Sequence, residues 1–300
     1  MDVALTGSSG LLGTALAPAL ERDGHRVVRL VRPETEARGG DTLAWDPDAG
    51  TIDAAGLEGI AAVIHLAGVS IGDTRWSAKG KRAIKESRVR GTALIARTLA
   101  GLQRPPSSLL SASASGAYGD RGDEVITEST PPGTGFRAEV CAAWEAAAEP
   151  VAEAGIRLAL LRSSVVLSTE GGLLPYQVLQ FKALGGGRFG SGRQWTSWIS
   201  IHDEVAAIVH VLERNALAGP INVTAPNPVT NREYATVLGR VLRRPSFWWI
   251  PSPALELVAG RQRAREVLLS SERIVPRRLL DDGFVFRHPH LEPALRELLR

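Results

Sequence analysis

One cysteine, Cys141, stands in a chain of 300 residues. An intramolecular disulfide is thereby excluded, and no cysteine cluster is left to hold a metal. Lysine is nearly as scarce, confined to Lys79, Lys81, Lys85 and Lys182, so the basic side is almost all arginine. The formal charge of +3 is small for this length, and no long basic run points to nucleic acid. No apolar run reaches membrane length, and no charged leader with an apolar core precedes the first strand pattern. Internal repeats and low-complexity stretches are missing too. What is present is the composition of an ordinary soluble globular protein, 44% hydrophobic and 22% charged. The expectation is a cytoplasmic protein with no metal, no nucleic-acid partner and no membrane partner.

The chain opens on MDVALTGSSGLLG. Residues 2–5 form a strand of the buried type that runs straight into Gly7-x-x-Gly10-x-x-Gly13. Leu12, Ala15, Leu16, Ala19 and Leu20 follow with helical spacing. Gly7 permits a sharp turn, Gly10 lets the backbone approach a pyrophosphate, and Gly13 lets the helix pack closely on the sheet. Free N–H groups and the dipole of that helix favour phosphate charge. The pattern predicts a dinucleotide site on Gly7, Ser9, Gly10, Leu11, Leu12 and Gly13.

The next strand, at 25–31, should end beside the adenosine ribose at Val31 and Arg32. An acidic residue there binds the 2′-hydroxyl of NAD, whereas an arginine suits the 2′-phosphate of NADP. Arg32 offers a fork of donors for that phosphate. NADP(H) is therefore expected ahead of NAD, the alternative being a solvated Arg32 with Glu34 on the ribose.

Strand and helix patterns alternate through the first half, which predicts an α/β fold with a parallel sheet covered on both faces. Further strands are read at 61–66, 108–113 and 156–167, and helices at 83–102 and 138–154. The second half changes texture. Gly185-Gly186-Gly187 and Gly190-Ser191-Gly192 mark loops among Phe189, Trp195 and Trp198. His202-Asp203 leads into a helix, whose start Asp203 caps or charges. Thr230-Asn231-Arg232-Glu233 reads as a capping box. The expected organisation is a Rossmann-type, doubly wound domain over 1–167, to which 196–224 returns. A smaller, mostly helical lobe takes 168–195 and 225–300, with the substrate cleft at the carboxyl ends of the strands.

These residues resemble the extended short-chain dehydrogenases/reductases. The resemblance is carried by Thr6 to Gly13, His65-Leu66-Ala67-Gly68, Arg88-Val89-Arg90-Gly91-Thr92 and Ser111 to Gly119. More closely, the chain is similar to the atypical subgroup filed as "epimerase family protein". Trp45-Asp46, Trp76 with Ser87-Arg88, Trp144-Glu145, 162–167, 190–203 and 251–276 carry that likeness, which covers nearly the whole chain. It implies that Leu66, Ala67 and Gly68 run along the cofactor and that Arg88 faces it or is an ordinary helix-surface arginine. It further implies that Val166 lines the nicotinamide side or is core.

Short-chain dehydrogenases normally act through a tyrosine and a lysine four residues later, with a serine or threonine on the substrate oxygen. The corresponding stretch, Phe136 to Glu145, contains neither tyrosine nor lysine, and Ala114 takes the usual serine's place. Ser113, Ser115, Tyr118 and Glu145 are the substitutes the sequence offers, each with a structural role as its alternative. Trp195, Trp198 and Phe189, interleaved with Arg188, Arg193 and Gln194, suit a cleft wall for a small molecule bearing an acidic group; core packing explains the tryptophans equally. The expected function is an NADP(H)-binding oxidoreductase or epimerase-like protein without the Tyr-x-x-x-Lys pair. A non-catalytic NADPH-binding redox sensor is the alternative, and the oligomeric state is open.

Overall fold

The computed structural model describes residues 1–34, 40–72, 74–184 and 186–300; Gly185, part of one expected loop, lies outside them. Its main sheet has eight strands. They are β1 (Asp2–Thr6), β2 (Arg26–Val31), β3 (Thr42–Asp46), β4 (Thr51–Ile52), β5 (Ala62–His65), β6 (Ser108–Ala114), β7 (Arg157–Ser163) and β8 (Gly219–Val223). Across the sheet the order is β8-β7-β6-β5-β1-β2-β3-β4. β1 pairs in parallel with β2 and β5, setting Ala4 opposite both Val28 and Val63. The β2–β3 and β5–β6 pairs are parallel too, and β4 turns back antiparallel on β3.

Building outward from β1 in both directions is the doubly wound arrangement, and its switch point lies between β1 and β5. Val3, Ala4 and Leu5 are all wholly buried, so both faces of β1 are covered. That is why this strand is apolar throughout rather than alternating.

The longer helices are α1 (Leu11–Arg22), α2 (Ala78–Ala100), α3 (Phe136–Ala146), α4 (Leu174–Leu184), α5 (Ile201–Glu213), α6 (Asn231–Leu242), α7 (Ser252–Ala259) and α8 (Leu291–Leu298). α2 starts five residues before the expected 83 because Ser77 caps it, accepting from the Gly80 N–H. The helix expected over 138–154 is two. α3 ends at Ala146, and Pro150 stands in the first turn of a separate short helix, Glu149–Glu153, where its missing N–H is harmless. The strand expected over 156–167 also divides. β7 ends at Ser163, Ser164 donates its N–H to the Val223 carbonyl, and Val165–Leu167 pairs with Trp198–Ser200 instead.

Two compact units result. Met1–Ser113, Val140–Leu161 and Val205–Ile221 form one; Ala114–Glu139, Arg162–Glu204 and Asn222–Arg300 form the other. The cut differs from the expected 1–167 boundary for a packing reason. Val125–Ile126 pairs with Arg273–Ile274, and Tyr118 and Ile126 pack on Ile274, which ties 114–139 to the C-terminal segment. The first unit's core gathers sheet residues Ala4, Val28, Val63 and Leu109 against Ile95 and Leu99 of α2. In the second, Leu174 and Phe181 of α4, Tyr234 and Leu238 of α6, and Leu291 and Leu295 of α8 surround Trp198. Trp198 is wholly buried there, so it is core and not a cleft wall.

The capping box forms as read: Thr230 Oγ1 accepts from the Glu233 N–H, and the Glu233 carboxylate accepts from the Thr230 N–H at 2.7 Å. Asp203, in the first turn of α5, does more than charge a helix start. It accepts from the Arg287 and His288 N–H groups at 2.7 and 2.9 Å, fastening the C-terminal segment to α5. Among the described residues, no helix is long and apolar enough to cross a membrane.

Candidate functional site

β1 and β5 end side by side at the switch point, and one side chain ties their ends together. Thr6 Oγ1 lies 2.7 Å from His65 Nδ1 and accepts from the Leu66 and Ala67 N–H groups at 3.1 and 3.3 Å. His65 is wholly buried, and burial lowers its pKa to about 4, so the ring is neutral at physiological pH. The Trp45 ring stands perpendicular to it at a centroid distance of 5.8 Å.

Above this anchor the glycine loop turns into α1. Gly7 has φ +69°, and a Cβ on it would stand 2.9 Å from the Leu66 carbonyl carbon. A Cβ on Gly13 would stand 2.2 Å from the Gly7 carbonyl oxygen, so only glycine lets the helix close on the loop. Gly10 is the N-cap residue. No side chain caps the helix, and its first turn holds no acidic residue. α2 and α6, by contrast, are capped by Ser77 and Thr230. At α1 the first N–H groups and the positive end of the dipole are left for an anion.

These groups open into a cleft of about 380 Å³, lined by Gly7, Ser8, Ser9 and Gly10, by Leu66 to Val69, and by the end of β2 from Arg29 to Arg32. The volume is that of an ordinary small-molecule site. Of the residues expected there, Gly7, Ser9, Gly10, Val31, Arg32, Leu66, Ala67 and Gly68 line it. Leu11 and Leu12 form the first turn of α1, while Gly13 is buried beneath the loop. Arg88 folds back: it donates to the Val69 and Ile84 carbonyls at 2.8 and 3.1 Å and lies over the Trp144 ring. Its neighbours Ser87 and Arg90 stand in the wall. Val166 belongs to the other unit, half-buried in the short strand beside Ile199.

Sequence reasoning missed Arg29, Trp45, Pro47, Asp48, Ser87 and Arg90 in this lining. A turn signal was available for three of them. Asp46 Oδ1 accepts from the Asp48 and Ala49 N–H groups, making the Trp45-Asp46-Pro47-Asp48 stretch an Asx turn. Asp48 lies 3.4 Å from Arg32, both side chains being half exposed. Arg29 and Arg90, also in the lining, pair with Glu21 at 2.8 Å and with Glu86 at 3.4 Å.

The candidates for proton chemistry are each engaged. Ser113 donates to Glu145 Oε1 at 2.6 Å. Ser115 donates to Glu272 Oε2 at 2.7 Å, and the other Glu272 oxygen takes Arg137 Nη1 at 2.5 Å. Tyr118 is wholly buried and donates to Asn222 Oδ1 at 2.7 Å; burial pushes its pKa up, keeping the phenol protonated. Glu272 and Arg137, neither of which sequence reasoning singled out, thus form a partly buried ion pair that also holds the Ser115 hydroxyl. Arg137 stands in the stretch where the tyrosine and lysine are missing.

Against known proteins, the NAD dependent epimerase/dehydratase family matches residues 3–224, and a Domain of unknown function (DUF1731) matches 250–298. An epimerase family protein of Mycobacterium bovis is 40% identical over 98% of this chain and 96% of its own length. Human epimerase family protein SDR39U1, crystallised with NADPH, superposes with a TM-score of 0.89 at 32% identity, covering 99% of each chain. A nucleoside-diphosphate sugar epimerase from Corynebacterium glutamicum superposes at 0.81 with 36% identity, over 99% of this chain and 58% of that one.

Proposed function

This chain belongs to the NAD dependent epimerase/dehydratase family, and from that premise we propose that it is a cytoplasmic NADP(H)-binding oxidoreductase or epimerase-like enzyme acting on a small molecule. The reading rests on the N-terminus of α1, uncapped and free of acid, opening into a cleft whose lining includes Arg29, Arg32 and Arg90. The helix start and the arginines each suit an anion. The human relative's NADPH has such a pair of anions, a pyrophosphate and a 2′-phosphate.

In this assignment Gly7, Ser9 and Gly10 and the first turn of α1 at Leu11 and Leu12 hold the pyrophosphate, with Gly13 allowing the approach. Val31 and Arg32 hold the adenosine ribose and its phosphate, assisted by Arg90. Leu66, Ala67 and Gly68 bound the path beyond, and Arg88 fixes that path through the Val69 carbonyl. Val166 takes the nicotinamide side. When bound, NADP(H) supplies a ring that gives or takes hydride. The proton falls to a hydroxyl–carboxylate pair of the chain itself, Ser113 with Glu145 or Ser115 with Glu272, both within transfer distance. Tyr118 stays with its structural bond to Asn222.

A redox-sensor reading is favoured by one observation: each of the three hydroxyls already donates to an internal acceptor. Incubation with NADPH and panels of carbonyl compounds and nucleotide sugars separates the two. Consumption of NADPH, abolished by Ser113→Ala or Ser115→Ala, supports the enzyme and names the proton pair. No consumption with any compound, together with different proteolysis patterns in NADPH and NADP⁺, replaces it with the sensor.

A further inference from the structure

Residues 243–265 hold five arginines against one glutamate, a concentration that the whole-chain charge of +3 conceals. They build the short strand Trp248–Ile250, paired in parallel with Gly187–Phe189, and then α7. Both elements turn apolar side chains outward. Phe247 is 74% exposed, Trp248 54%, Leu257 87% and Val258 88%. In α7 Leu255 is buried, while Leu257 and Val258, two and three positions on toward the helix's C-terminal end, stand in solvent. A lone exposed leucine is ordinary, but a run of this density marks a contact surface. Arg243, Arg244 and Arg261 of the same stretch are exposed, and the single acid, Glu256, is taken by Arg265 at 2.7 Å.

We propose that this face docks on an anionic phospholipid surface. A bilayer interface offers the acyl boundary to Leu257 and Val258, the headgroup level to the indole of Trp248, and phosphates to the arginines. A second copy of the chain fits less well. Two-fold self-association sets one arginine rim against the other, with no unpaired acid in the stretch to match them. Nucleic acid supplies phosphates and a stacking partner for tryptophan, yet nothing for Leu257 and Val258. Pro245, Pro251 and Pro253 bracket the strand and the start of α7, restricting the backbone that presents the face.

Sedimentation of the full chain with vesicles tests the proposal. The chain is expected to pellet with phosphatidylcholine–phosphatidylglycerol vesicles, to stay in solution with phosphatidylcholine alone, and to release as salt rises. The double variant Leu257→Glu, Val258→Glu removes binding, and Arg261→Glu weakens it roughly tenfold. Both variants keep the wild-type circular dichroism, since the altered side chains are exposed. No binding to the mixed vesicles overturns the proposal, as does undiminished binding by the double variant. A lipid-free dimer that the double variant splits assigns the face to a second copy and overturns it. Binding of single-stranded DNA without vesicle binding assigns it to nucleic acid, with the same consequence.

Discussion

Glu204 lies wholly buried in the first turn of α5. One carboxylate oxygen accepts from Ser163 Oγ at 2.6 Å, and the other has no hydrogen-bond partner among the described residues. Burial raises its pKa to about 8, against 4.5 in the unfolded chain, with the Ser163 bond opposing the shift. The folded state therefore keeps a proton that the unfolded state loses, and stability falls as pH rises from about 4.5 to 8. Glu204→Gln keeps an acceptor for Ser163 and removes the titration. It is expected to raise stability at pH 8 by roughly 2–4 kcal/mol and to leave it nearly unchanged at pH 4.5, read by urea unfolding at both pH values. His65 works at the other end. Its folded pKa is depressed to about 4, so the unfolded chain takes up the proton first as pH falls below 6.5. The loss from this group grows down to pH 4, and His65→Asn flattens the acid limb of the same curve. Neither role was legible in the sequence: Glu204 reads as one more acid at a helix start, and only the packing around it keeps it neutral.

Elements show what local sequence does carry. The turn at Gly7 and the start of α1 are legible because the positive φ of Gly7 and the contact of Gly13 with the Gly7 oxygen are both demands made within a few residues. Gly13→Ala puts a methyl 2.2 Å from the Gly7 oxygen and forces α1 off its loop. The expected result is a loss of roughly 1–3 kcal/mol in stability, with loss of NADPH binding; wild-type affinity in this variant would refute the role given to α1. The capping box of α6 is equally local and equally legible. The hairpin that brings Trp45 and Asp48 into the cleft is less so, because its short strands β3 and β4 carry weak apolar patterns. The Ser115–Glu272 contact spans 157 positions, and no spacing rule reaches that far. For the same reason Ser113 and Ser115, two residues apart, read alike in sequence but belong to different units with different partners.

At the scale of the whole molecule, the alternating first half predicted the doubly wound sheet, since each strand buried on both faces announces itself as an apolar run. The division into units was hidden, because residues 114–139 join the second unit through a two-residue strand pairing too short to read. We propose that the uncapped start of α1 and the arginines of β2 and its end together form an NADP(H) site. Calorimetric titration of the full chain with NADPH and NADH, repeated on Arg32→Ala, tests it most directly. The prediction is NADPH binding at least about tenfold tighter than NADH, with Arg32→Ala costing NADPH roughly tenfold in affinity and NADH nothing. Equal affinity for the two cofactors, or an NADPH preference that survives Arg32→Ala intact, would contradict it.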